Sequence, residues 1–164
     1  MLWCGVSRKF RGCLEVYELR ELYQQLILDH NKRPRNFGPL AGANREAKGV
    51  NPLCGDKVTV YLRLEGDRVV DVGFDGSGCA ISTASASVMT ESLKGKSRAE
   101  VEALFQRFHS LVAGGAEVSE PQDLGKLAAF SGVKDYPARV KCATLAWHAL
   151  RAALDEAGDS VTTE

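Results

Sequence analysis

Cys54, Cys79 and Cys142 stand in three short stretches: Asn51-Pro52-Leu53-Cys54-Gly55-Asp56, Gly76-Ser77-Gly78-Cys79-Ala80 and Arg139-Val140-Lys141-Cys142-Ala143-Thr144. Each falls where the sequence pattern begins or ends a strand or helix, which is where a rigid scaffold presents a reactive side chain. Asp56 is two positions from Cys54, and in an extended segment that spacing puts both side chains on one side of the backbone. Three soft sulfurs and one carboxylate oxygen suit tetrahedral Zn²⁺, and thiolates also suit iron–sulfur clusters. Structural zinc sites usually use cysteine and histidine only, so an aspartate points to a site that exchanges a ligand or opens a position. A helix start with Arg139 and Lys141 beside Cys142 favours its thiolate.

Spacing alone does not fix this chemistry. The cysteines are far apart and form no Cys-x-x-Cys pair, and each taken singly could be a small buried hydrophobe. A purely structural zinc is the weaker alternative. Finger peptides draw about 10–16 kcal/mol from zinc, whereas this chain, 45% hydrophobic, carries enough apolar residues to fold without it. The three histidines add little. His148 lies about 240° around a helix from Cys142, and His30 and His109 read as helix-surface residues. Trp147, Phe105 and Phe108 read as core.

Acidic and basic side chains balance at 21 each over 164 residues. No summed field therefore draws the chain to nucleic acid or an anionic membrane. No apolar run approaches the roughly 18–20 residues of a membrane span, and Met1–Glu15 lacks the apolar stretch of a secretory signal. The expected location is cytoplasmic, where an odd count of five cysteines argues for thiolate or metal chemistry before disulfides. Cys4 and Cys13 fall in a segment without periodicity, so residues 1–15 are expected to be a disordered extension, 16–157 one domain and 158–164 a tail.

The elements that must position the cysteines follow from periodicity. Leu19, Leu22, Tyr23, Leu26 and Ile27 predict a helix over roughly 16–30 that ends at Lys32-Arg33-Pro34. Val58, Val60, Leu62 and Leu64, then Val70, Val72 and Phe74, alternate around Glu65-Gly66-Asp67 and predict a β-hairpin. Residues 45–49 could add a third strand. Small residues from Ala80 to Met89 predict a closely packed helix, with Ile81, Ala84, Ser85, Val88 and Met89 on one face. Ser97-Arg98-Ala99-Glu100 reads as a capping box for the next helix, which closes at Gly114-Gly115. A short helical piece over 124–130 leads to a last helix from Ala138 to about Ala157. Strands followed by helices predict an α+β fold: a small antiparallel sheet of about three strands with helices on one face.

The three cysteine stretches, with Ser82 and Ser85-Ala86-Ser87 after the second and Leu145-Ala146-Trp147 after the third, resemble the signatures of the IscU/NifU N-terminal family of iron–sulfur cluster assembly proteins. The resemblance covers about residues 17–155 and is strongest to the SufU branch. Scaffold-type members carry histidine before the third cysteine and a Leu-Pro-Pro-Val-Lys motif; here Lys141 stands at the first place and the motif is missing. Residues 114–136 also look like the insertion of SufU-type members. The resemblance implies Zn²⁺ held by Cys54, Asp56, Cys79 and Cys142. It implies a sulfurtransferase-like carrier in which Cys54 takes persulfide sulfur from a pyridoxal-phosphate cysteine desulfurase and passes it to a Suf-type assembly complex. Arg139 would contact a partner. The alternative it leaves open is a scaffold that builds and donates a [2Fe–2S] cluster.

Overall fold

The computed structural model describes residues 8–52, 55–114, 121–155 and 161–162. Three antiparallel strands, β1 (Arg45–Asn51), β2 (Asp56–Glu65) and β3 (Arg68–Ser77), run as a meander, and β4 (Val161–Thr162) adds to the free edge of β1 in parallel. The sheet order is β3-β2-β1-β4. Helices α1 (Arg8–Lys32), α2 (Ala80–Leu93), α3 (Arg98–Ala113) and α4 (Pro137–Leu154) surround a 3-10 segment, Pro121–Asp135, which kinks at Gly125. The α+β expectation holds, with α2 and α4 packed on the sheet.

Alternation dictates which strand residues turn inward. Val58, Val60 and Leu62 of β2 are buried, and so are Val72 and Phe74 of β3. The pattern changes at a bulge, because Arg63 pairs with Asp71 while Leu64 pairs with Val69. Val70 is thereby an extra residue, and Val69 rather than Val70 enters the core. The hairpin turn is tight, and Gly66 takes the positive φ (60°) it needs.

Small residues let helices approach closely. A Cβ at Gly49 would stand 3.0 Å from Leu145 Cδ1 and 3.4 Å from Ala149 Cβ, so α4 lies directly on β1. Helix α2 is buried on nearly every side, from Ala84 through Thr90, which explains its alanines and serines. Ser85 Oγ donates to the Ala143 carbonyl at 2.5 Å and accepts from Trp147 Nε1 at 3.3 Å, tying α2 to α4. Trp147 stacks on Phe105 and Phe108, whose ring meets Phe130 edge-on. The Ser97–Glu100 capping box opens α3, and left-handed Gly114 closes it.

Several boundaries differ from the sequence reading. Helix α1 begins at Arg8, so Arg8–Glu15 is helical rather than an irregular extension, and Cys13 lies within it. The 3-10 segment is longer than 124–130. Helix α4 starts at Pro137, whose missing N–H costs nothing there, and ends at Leu154. Part of the expected tail pairs with β1. His30, read as a surface residue, is buried, and its Nδ1 lies 2.7 Å from Ser87 Oγ. That hydroxyl also accepts from the Arg35 backbone N–H, so the pair fastens the end of α1 to α2.

Candidate metal centre

Three elements converge at one end of the sheet. Asn51 closes β1 and Asp56 opens β2, paired across the ladder. Gly55 between them has φ 70°, and its N–H donates to the Asn51 carbonyl at 2.8 Å. Asp56 is buried at 1% exposure, which is expensive for a carboxylate unless it is hydrogen-bonded. Its Oδ1 accepts from the Cys79 backbone N–H at 2.9 Å, and its Oδ2 lies 3.9 Å from Cys79 Sγ.

Cys79 is the N-cap of α2, with extended φ and ψ, and its sulfur accepts from the Ser82 N–H at 3.4 Å. The Cys79 sulfur thus sits at the start of α2, at the positive end of the helix dipole. The approach to Cys79 requires glycine twice. A Cβ at Gly76 would fall 2.1 Å from the Lys57 carbonyl oxygen, at a φ of 140°, and one at Gly78 would fall 2.9 Å from Asp56 Oδ1. Gly78 therefore leaves the space that the carboxylate occupies.

Cys142 comes from α4 and is fully buried. Its sulfur lies 3.8 Å from Asn51 Nδ2 and 3.9 Å from the Ala138 carbonyl oxygen one turn earlier. Neither Cys79 nor Cys142 is in a disulfide. Donor atoms of Asp56, Cys79 and Cys142 all lie within 4.8 Å of one another. The structure thus brings together three of the four expected ligands from positions remote in sequence. Cys54, the fourth, lies outside the described residues, as does Cys4.

Arg139, one turn before Cys142 and exposed, hydrogen-bonds Cys142 and feels the charge of both sulfurs, which raises its already high pKa. Arg139 also lines a groove of about 470 Å³ bounded by Tyr23 and Ile27 of α1, Ile81, Val133 and Tyr136. The groove therefore opens beside the donor cluster. The histidines are elsewhere: His30 meets Ser87, while His109 and His148 stand edge-on to Phe105. The sequence reading did not assign roles to Asn51 or Gly78, although both lie in the cysteine motifs. Their contacts depend on a fold that brings β1 against α4 and the turn between β3 and α2 against β2.

Two thiols and a buried carboxylate at this separation form a donor set for a borderline-soft cation, and they fit zinc. A small meander presenting Asp56 beside a helix-capping cysteine and a second cysteine from α4 defines a fold with a candidate metal–thiolate site.

Comparisons with known proteins identify the family. The family model described as the NifU-like N terminal domain matches residues 22–143, and the chain belongs to this family. The iron-sulfur cluster assembly scaffold protein IscU of Streptococcus pyogenes serotype M1 is 38% identical over 147 residues, covering 90% of this chain and 91% of the relative. The zinc-dependent sulfurtransferase SufU of Bacillus subtilis (strain 168) is 44% identical over 132 residues, covering 80% and 88%. A crystal structure of a nitrogen-fixing NifU-like protein (N-terminal) from Brucella abortus superposes with a TM-score of 0.72 at 28% identity, covering 82% of this chain and 92% of that one.

Proposed function

We propose that this protein is a zinc-dependent sulfur acceptor in iron–sulfur cluster assembly, with Cys54 as the accepting residue. The observation that carries the reading is the buried Asp56 carboxylate set against the sulfurs of Cys79 and Cys142. With no histidine in that cluster among the described residues, the donor set matches a sulfur carrier better than a histidine-bearing scaffold. Lys141 before Cys142 and the likeness to the Bacillus subtilis sulfurtransferase point the same way.

Asp56, Cys79 and Cys142 would hold the ion together with Cys54, and bound zinc would keep the thiols deprotonated at neutral pH while damping their nucleophilicity. Once free of the metal, the Cys54 thiolate attacks the terminal sulfur of a persulfide on a pyridoxal-phosphate cysteine desulfurase. A sulfur–sulfur bond forms on Cys54 as the partner's breaks, and the partner's thiolate leaves, so electrons balance without an external oxidant. Asp56, the hardest donor in the set, would hold the metal and ease the ligand exchange that frees Cys54. Arg139, which lines the groove and contacts Cys142, would meet an incoming anionic group of the partner. The sulfur would then pass to a Suf-type assembly complex.

The test combines metal analysis with transfer. Purified protein is assayed for zinc, given cysteine and a cysteine desulfurase from the same organism, and examined by mass spectrometry for a persulfide on Cys54. Stoichiometric zinc and a persulfide lost in Cys54→Ala support the reading. A transferable iron–sulfur cluster on zinc-free protein, with no persulfide, would establish the scaffold alternative instead.

A further inference from the structure

We propose that Asn51 is a positioning residue for the metal centre, its side-chain amide fixing the Cys142 sulfur and stabilising it as a ligand. The proposal rests on the reading that the Asp56–Cys79–Cys142 cluster holds a metal, and it adds a residue that is not itself a ligand.

The Asn51 side chain is completely buried at the end of β1, where a primary amide is costly unless its donors are used. Its Nδ2 lies 3.8 Å from Cys142 Sγ, within range for an N–H donor and sulfur. A neutral thiol is a weak acceptor. A thiolate is much better, because a hydrogen bond to an ionised acceptor is roughly twice as strong as a neutral one. The interaction therefore gains strength when the sulfur is in the form that binds a cation.

The same residue reaches the other parts of the centre through its backbone. Asn51 pairs with Asp56 across the β1–β2 ladder, and its carbonyl accepts from the Gly55 N–H at 2.8 Å. The segment that carries Asp56 and the sulfur offered by α4 are thus referenced to one residue. Cys79 is served differently, by the Ser82 N–H at 3.4 Å. Each sulfur of the cluster thereby has an N–H donor, one from a helix backbone and one from a side chain. Groups that orient metal ligands in this way are typically worth 10–100-fold in affinity.

Asn51→Asp keeps the shape but replaces the donor with a second anion, and Asn51→Leu keeps the bulk without either. Zinc affinity of the full-length variants is measured by chelator competition, Co²⁺ spectra report the sulfur-to-metal bands, and thermal melts of the metal-free proteins report the fold. The expected result is a 10–100-fold loss of affinity in both variants, larger in Asn51→Asp, with altered cobalt bands and metal-free melting temperatures within a few degrees of wild type. Affinities within twofold of wild type would overturn the proposal. So would a loss of affinity matched by collapse of the metal-free fold, which would make Asn51 merely structural.

Should neither variant fold, the wild-type protein decides, by the shift of the Asn51 side-chain amide resonances on zinc addition. A clear downfield shift supports the hydrogen bond, and unmoved resonances exclude it. Wild-type protein that binds neither zinc nor cobalt would instead defeat the reading of the cluster as a metal site, and this proposal with it.

Discussion

At Gly78 a single hydrogen atom separates a formed site from a blocked one. An added methyl group would stand 2.9 Å from Asp56 Oδ1 and 3.2 Å from Asp56 Cγ, so the carboxylate must move. Gly78→Ala should therefore weaken zinc binding by about tenfold or more although it removes no donor atom. The overpacking should also cost about 1–3 kcal/mol of stability. Chelator competition and urea unfolding separate the two effects. Asp56→Ala removes the carboxylate outright and should impair zinc retention further, as read by metal content after dialysis. The residue types in the cysteine motifs were enough to nominate Asp56, Cys79 and Cys142 from sequence. The need for glycine at position 78 was not legible, because the atom it avoids belongs to another strand.

Among the elements, α2 shows most clearly how far periodicity reaches. Its small residues predicted close packing, yet the burial of both its faces depends on α1, which fastens there through His30 and Ser87. A lone histidine at the end of an amphipathic helix gives no sign that a serine in another helix will cover it. Val70 was misplaced for a related reason, since a bulge resets a two-residue period and leaves no mark in composition. The buried His30 makes the joint sensitive to acid. Burial, then the Arg35 charge, lowers its pKa from the ordinary 6.5, with Lys126 acting the same way and Glu91 and Asp29 opposing. His148 is shifted in the same direction, chiefly by burial. The unfolded chain thus binds more protons than the folded one between the lowered value and 6.5, and stability rises with pH through that window. The contribution is complete above about 6.5 and is lost as pH falls below it. Denaturant midpoints measured from pH 7.5 down to 5 should decline, and His30→Gln should flatten the decline. An identical profile in that variant would remove His30 as the cause. Gly76→Ala tests the end of β3: a Cβ 2.1 Å from the Lys57 carbonyl oxygen, at positive φ, should cost at least about 2 kcal/mol.

Across the whole molecule, the metal centre and the core occupy different places. The continuous apolar core runs through β2, β3, α2, α3, the 3-10 segment and α4, with Trp147, Phe108 and Phe130 among its largest members. Asp56, Cys79 and Cys142 are not members of that cluster, although Cys142 is itself fully buried. The described helices contain no segment long and apolar enough to cross a membrane. A protein stabilised in this way should lose its metal without losing its fold, unlike a zinc finger. Zinc present at 100 times its dissociation constant should add about 2.7 kcal/mol, which in a domain of this size corresponds to a melting temperature about 5–11 °C higher. Differential scanning calorimetry of zinc-loaded and chelator-treated protein measures that difference, and far-ultraviolet circular dichroism shows whether the helices persist. The expected outcome is a lower but still cooperative transition with helical content retained, restored when zinc is returned. Loss of the transition on chelation would make zinc a folding element, and the ligand exchange proposed for Cys54 would then have to proceed without leaving the site empty.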